Sequence, residues 1–213
     1  VYHYEIAARI ADDGVVAIVR EKTQEEARVK IRALLKAGQR VVEVSVTTPG
    51  AIELVAELRD DPVASDAVIG IGTVLDETTA RLGALAGARF VVSPSVDTEV
   101  LRTAHRYGMA TLPGAFTATE AVRAVAEGAD FVKLFPASAY GPASVQDVMA
   151  ALPQIALVPT GGVSLEAAPA FIGAGAVAVG MGGALTCGPA AELPNRVREL
   201  HRAVTAAKEG RRA

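Results

Sequence analysis

Apolar residues recur along the chain in short Val/Ile-rich runs. Each run leads into a Gly, Pro or Thr cluster and then into a stretch whose apolar positions fall at helical spacing. The runs are VVAIV (15–19), VVEVSV (41–46), AVIGIG (67–72), FVVSP (90–94), ATLPGA (110–115), FVKLFP (131–136), ALVPTGG (156–162) and AVAVGM (176–181). Their starts lie about 20 to 26 residues apart, room for one strand, one helix and short loops. Strands that are apolar on both faces and alternate with helices predict a parallel sheet, and eight such units predict an α/β fold of the closed (β/α)8 TIM-barrel type. An open doubly wound sheet calls for a GxGxxG turn after its first strand, and the REKTQEEA that follows Val19 contains no glycine. Thr23, with Glu26 three residues on, predicts a capping-box start for a helix that runs to Ala37 and stops at Gly38. Pro49 reads as a first-turn residue, and Thr119, Ser144 and Ser164 as further helix starts. Residues 3–13 predict an extra N-terminal helix that plugs the bottom of the barrel. No linker divides the chain, so residues 1–213 read as a single domain ending in a short basic tail at 208–213.

Composition narrows the class. With 51% hydrophobic and 21% charged residues and a mean hydropathy of +0.32, the chain has enough apolar surface to offset the entropy of ordering, which excludes global disorder. Only 4% of residues are aromatic and Trp is absent, as expected where small-residue helix faces pack on β-strands. A net charge of -3 provides no basic field for nucleic acid or an anionic membrane. Cys187 is the only cysteine, which excludes an intrachain disulfide and a thiolate zinc framework and predicts a reducing cytoplasm. No apolar run approaches the roughly 20 residues that span a bilayer, and residues 1–20 carry charges throughout.

In such a barrel the chemistry gathers at the C-terminal ends of the strands. Glu43 sits inside VVEVSV and Lys133 inside FVKLFP, and an ionised side chain in an apolar strand costs several kcal/mol unless it is paired or faces a cavity. Strand parity turns Val42, Val44 and Val46 toward the helices and leaves Glu43 pointing inward with Ser45. The second and sixth strands lie opposite in the ring, so carboxylate and amine are expected to face each other. Lys22, Lys30, Lys36 and Lys208 fall at loop or helix positions where solvated charge is routine; Lys133 alone is strand-embedded. Walls from Phe131, Leu134 and Phe135 would disfavour its ammonium form and make the amine nucleophilic toward carbonyls, beside a carboxyl able to move protons. The other reading of the two residues is a buried structural ion pair.

PTGGVS (159–164) and GMGG (180–183) place glycine pairs at the ends of the last two strands, where barrel loops present N–H groups to phosphate. A phosphorylated small-molecule substrate is implied, and turn glycine is the plainer alternative. Arg20 ends the first strand and suits a substrate carboxylate, as it also suits plain solvation. Thr73 follows Gly72 with a hydroxyl for the same group, or as a strand-end Thr. Pro94 and Pro113 close the fourth and fifth strands. His3, His105 and His201 read as ordinary helix residues that build no metal triad, and Cys187 as an incidental small residue.

Taken in order, VVEVSVTTP, IGIGTV, VVSPSVD, LPGAFTATE, DFVKLFPAS and VPTGGVS resemble the 2-keto-3-deoxy-6-phosphogluconate (KDPG) aldolase and 4-hydroxy-2-oxoglutarate (KHG) aldolase family over about residues 14–190. The resemblance implies a cytoplasmic, commonly trimeric class I aldolase on a (β/α)8 barrel, forming a Schiff base without metal or organic cofactor. It implies Lys133 as the Schiff-base amine, Glu43 as the general acid/base, Thr73 at the pyruvate carboxylate, and Pro94 and Phe135 as walls. Thr160, Gly161 and Gly162 would lie by the phosphate, with Gly182 and Gly183 in the second phosphate loop. Thr47 stands where some members carry an arginine; others carry it at the end of strand one, which matches Arg20. Gly183 stands where many members have serine. The reaction implied is cleavage of KDPG to pyruvate and glyceraldehyde 3-phosphate, with 4-hydroxy-2-oxoglutarate as a second substrate giving pyruvate and glyoxylate. A non-covalent phosphosugar isomerase or epimerase and a non-catalytic sugar-phosphate-binding barrel remain as alternatives.

Overall fold

The structure, a computed structural model, describes residues 2–212. Its strands are β1 (Val15–Val19), β2 (Val41–Ser45), β3 (Val68–Gly72), β4 (Phe90–Val92), β5 (Ala110–Leu112), β6 (Gly114–Ala115), β7 (Val132–Leu134), β8 (Leu157–Pro159) and β9 (Val179–Met181). Every paired neighbour is parallel. Six strands run in the order β5-β4-β3-β2-β1-β9 and three in the order β6-β7-β8, giving an α/β fold with a curled parallel sheet in two segments. The segments adjoin at Pro113, between β5 and β6, and at a parallel bridge between Thr160 and Gly180.

The fifth run is therefore two short strands rather than one. Pro113 has no N–H to give to a ladder, and its carbonyl instead accepts from the Lys133 N–H at 2.9 Å. The helices are α1 (His3–Asp13), α2 (Gln24–Lys36), α3 (Ala51–Arg59), α4 (Glu77–Ala86), α5 (Thr98–Arg106), α6 (Ala118–Ala126), α7 (Pro142–Ala151), α8 (Ala168–Gly173), α9 (Gly183–Thr186) and α10 (Leu193–Arg212). Thr23 caps α2, its hydroxyl accepting the Glu26 N–H. Three expected starts shift. Pro49 stays outside α3, whose cap is Gly50 at φ 70°. Thr117, not Thr119, caps α6, because Glu120 then stands three residues on and completes a reciprocal capping box. α7 begins at Pro142, two residues before Ser144. Ser164 accepts the Ala167 N–H in the turn that precedes α8.

Alternation along the strands separates two apolar layers. Val42, Val44, Val132 and Leu134 join Ile31 and Leu54 between sheet and helices. On the inner side, Val16, Val41, Val68, Phe90 and Phe131 pack around Ile6 and Ile10 of α1. The inner layer is tight: a Cβ on Gly70 would lie 2.5 Å from the Phe90 ring. At the other end of the chain, two residues of the basic segment are anchored. α10 runs through to Arg212, Lys208 donates to the carbonyls of Ala11 and Asp12, and Arg211 donates to that of Ala176, so chain-end charge ties the last helix to the body. Val1 and Ala213, the outer limits of the expected domain, lie outside the described residues. No helix among the described residues is long and apolar enough to cross a membrane.

Candidate active site

Because Val132 and Leu134 pack outward, Lys133 between them points inward, where it is only 6% exposed. Leu134 thus belongs to the helix-facing layer and forms no wall around the amine, contrary to expectation. Phe135 does: the Lys133 Nζ lies 4.8 Å from its ring centroid. Glu43, 2% exposed, points inward from β2 and faces the same cavity. No hydrogen bond and no ion pair within 4.0 Å joins the two, so they interact through space rather than as a contact pair. Burial pushes the Glu43 carboxyl above its ordinary range, against the charges of Lys133 and Arg20. Burial likewise pushes the Lys133 amine down, with Glu43 opposing and Arg20 assisting. Each group is biased toward its neutral form, which suits a nucleophilic amine and a proton donor. Glu43 has this place because Gly72 leaves it empty: a Cβ at Gly72 would sit 1.7 Å from Oε1.

Above this pair the strand ends carry a chain of hydroxyls. The Arg20 guanidinium donates to Thr73 Oγ1 at 3.2 Å, Thr73 Oγ1 lies 3.0 Å from Ser45 Oγ, and Ser45 Oγ lies 2.8 Å from Thr47 Oγ1. Thr73 is held at φ 65°, a left-handed conformation that costs a β-branched residue on the order of 1–3 kcal/mol and persists only where its surroundings impose it. The arginine that resemblance placed at either of two positions is present as Arg20, and Thr47 serves as a hydroxyl partner.

The cavity over these groups measures about 480 Å³ and takes in all the candidate site residues except Thr73 and Pro94. Thr73 is linked to it through Arg20. Pro94 stands off the wall, its carbonyl so close to Gly114 that a Cβ there would approach to 2.2 Å. Gly161 and Gly162 adopt φ 87° and 79°, a left-handed loop that turns backbone at the strand end along the cavity wall, where N–H groups can meet an anion. Thr160, beside them, is buried and donates to the Val158 carbonyl at 3.1 Å. Sequence reasoning missed Glu21 and Lys30, which line the same wall and form an ion pair. Lys30 follows the buried Ala27 by about one helical turn on α2, and that spacing was the available signal that it sits near the buried face of the helix.

The histidines also differ from expectation. His3 and His105 converge on Asp130, with ligating atoms within 4.8 Å of one another, a donor set that counting histidines alone does not reveal. Asp130 is already occupied there: Oδ1 lies 2.7 Å from His3 Nδ1, and Oδ2 accepts the Thr111 N–H at 2.9 Å and the Thr111 hydroxyl at 3.0 Å. His201 lies apart, hydrogen-bonded to Gln39 at 3.0 Å. Cys187 is exposed on the cavity wall.

Comparison with known proteins carries the reading further. The family model described as "Aldolase: KDPG and KHG aldolase" matches residues 6–195. Fold, site and match together define an enzyme of the aldehyde-lyase class, an aldolase. The chain is 37% identical over 169 residues to the 2-dehydro-3-deoxy-6-phosphogalactonate aldolase of Escherichia coli strain K12, covering 79% of this chain and 82% of that one. Among solved structures it superposes on one described as native KDPGal with a TM-score of 0.84 at 32% identity, covering 92% of this chain and 96% of the other. It also superposes on KDPG aldolase from Legionella pneumophila, with pyruvate captured at low pH as a covalent carbinolamine intermediate, with a TM-score of 0.77 at 26% identity and coverage of 94% and 97%. The chain belongs to the KDPG and KHG aldolase family.

Proposed function

We propose that the protein is a class I, Schiff-base aldolase that cleaves 6-phosphorylated 2-keto-3-deoxyaldonates, KDPG among them, to pyruvate and glyceraldehyde 3-phosphate. In this reading 4-hydroxy-2-oxoglutarate is a second substrate, giving pyruvate and glyoxylate. The observation that carries it is the inward-facing Lys133, desolvated and sharing one cavity with the buried Glu43 carboxyl, whose pKa burial pushes up. The neutral Nζ adds to the C2 carbonyl, forming the C–N bond of a carbinolamine, and Glu43 delivers the proton with which the C2 hydroxyl leaves as water. The resulting iminium is the electron sink. Glu43, now ionised, takes the C4 hydroxyl proton, directly or through a water. The C3–C4 bond breaks, its electron pair moves into the enamine, and the aldehyde departs. Protonation at C3 and addition of water release pyruvate and restore the amine. Each step returns the proton it borrowed, so one carboxyl serves throughout.

Arg20, with Thr73 behind it, holds the pyruvate carboxylate, Phe135 walls the amine, and Thr160, Gly161, Gly162, Gly182 and Gly183 surround the phosphate end. The relatives include aldolases named for phosphogluconate and for phosphogalactonate, sugars that differ at C4, so a panel of the two epimers defines the preference. The architecture we read into the curled sheet is a closed (β/α)8 barrel over one domain, with α1 as its plug. Support comes from the Pro113 junction, the Thr160–Gly180 bridge and the packing of Ile6 and Ile10 among inner-face residues. A cytoplasmic homotrimer accords with the free Cys187 and with exposed Phe116, Val122 and Val125, and sedimentation tests the assembly. Incubation with pyruvate and borohydride followed by intact mass tests the chemistry. The expected result is one reduced pyruvyl adduct on Lys133, absent from Lys133→Ala, which also loses aldol cleavage; full cleavage by Lys133→Ala would sink the scheme.

A further inference from the structure

Among the described residues, Arg20, Lys30 and Lys133 are the basic side chains on the cavity wall. The role of Lys30 is inferred on the basis of the proposed reaction, in which the other two are committed: Lys133 to the keto carbon and Arg20 to the carboxylate. The distal phosphate brings close to two negative charges, and glycine N–H groups offer it hydrogen bonds without net charge. The second loop lacks a hydroxyl donor as well, and space beside it is taken, since a Cβ on Gly183 would lie 3.3 Å from Cys187 Sγ.

We infer that Lys30 is the cation of the phosphate end and that Glu21 is its holding group. The Lys30 ammonium pairs with the Glu21 carboxylate, both side chains mostly shielded at 23% and 19% exposure. Glu21 is held at its backbone, where its N–H donates to the buried Thr48 hydroxyl at 3.1 Å. Lys30 has the long flexible stem, so the ammonium is the partner that moves. An arriving phosphate exchanges one anion for another around the same nitrogen, and the site favours phosphorylated over unphosphorylated substrates. The helix that closes one side of the cavity therefore sets specificity at its far end from the chemistry.

The experiment compares kcat/KM for KDPG with that for its unphosphorylated analogue, and inhibition by inorganic phosphate, in the parent, Lys30→Met and Glu21→Gln. Lys30→Met is expected to lower the preference for the phosphorylated substrate at least about tenfold, mainly through KM, and to weaken phosphate inhibition. Glu21→Gln is expected to strengthen phosphate inhibition. An unchanged preference in Lys30→Met overturns the inference. If that variant does not fold, Glu21→Gln without tighter phosphate binding overturns it instead. Borohydride trapping on the parent keeps the two readings apart: absence of the adduct defeats the aldolase chemistry, while calorimetric titration of the parent and Glu21→Gln with inorganic phosphate still reports on Lys30.

Discussion

Two ionisable side chains sit where water cannot reach them freely, and their surroundings decide their protonation. Burial is the first cause of the depressed Lys133 and the elevated Glu43, and Arg20 acts on both through its charge. Removing that charge lets the amine's pKa rise, since one cation no longer repels another. In Arg20→Met, the acid limb of pyruvate-adduct formation at saturating pyruvate is therefore expected to move to higher pH. A limb that stays in place or moves down refutes the electrostatic role. Glu43 and Lys133 were legible in the sequence because a charge inside an apolar run has few explanations. Lys30 was not, since a lysine on an amphipathic helix looks solvated until the Glu21 beside it is seen to share the cavity wall. The hydroxyl chain through Ser45, Thr47 and Thr73 was equally hidden, because it depends on the left-handed turn at Thr73.

Neighbouring strands meet at defined register, and that register gives Glu43 its room. Gly72 pairs with Ser45 across β2 and β3, so its missing side chain falls beside the carboxyl on the adjacent strand. Gly72→Ala is expected to displace Glu43 and reduce kcat by roughly a hundredfold, the scale of losing a positioned acid/base group, while Lys133 still traps pyruvate. Unaltered kcat in a folded Gly72→Ala would show that Glu43 does not need that position. Periodicity in the sequence placed the strands well, because apolar-run length and helical spacing are local properties. It placed helix starts less well. Thr117 outcompetes Thr119 because only Thr117 has Glu120 at the reciprocal position, and Pro113 splits the fifth strand because the chain there has no N–H to donate.

At the scale of the whole molecule, Asp130 joins the N-terminal helix to the sheet through His3 and Thr111, far apart along the chain. Burial pushes its carboxyl up, but hydrogen bonds from His105, His3 and Thr111 outweigh that and hold it below the ordinary 3.8. A carboxyl depressed in the folded state contributes stability that is present above its unfolded value and lost as pH falls through the folded one. Asp130→Asn is thus expected to cost about 1–3 kcal/mol near pH 7, with the difference from the parent shrinking below the ordinary carboxylate value, as urea unfolding at several pH values will measure. A cost independent of pH would assign the loss to packing. By itself the sequence determined the alternating strand and helix order, the parallel sheet and the inward placement of Glu43, because these follow from repeats of two and 3.6 residues and from the cost of charge among apolar neighbours. Tertiary structure alone decided the helix-facing place of Leu134, the Lys30–Glu21 pair, the His3–His105–Asp130 cluster and the anchoring of Lys208 and Arg211. Each depends on which residues meet across the folded sheet, and that is set by register and packing between distant segments.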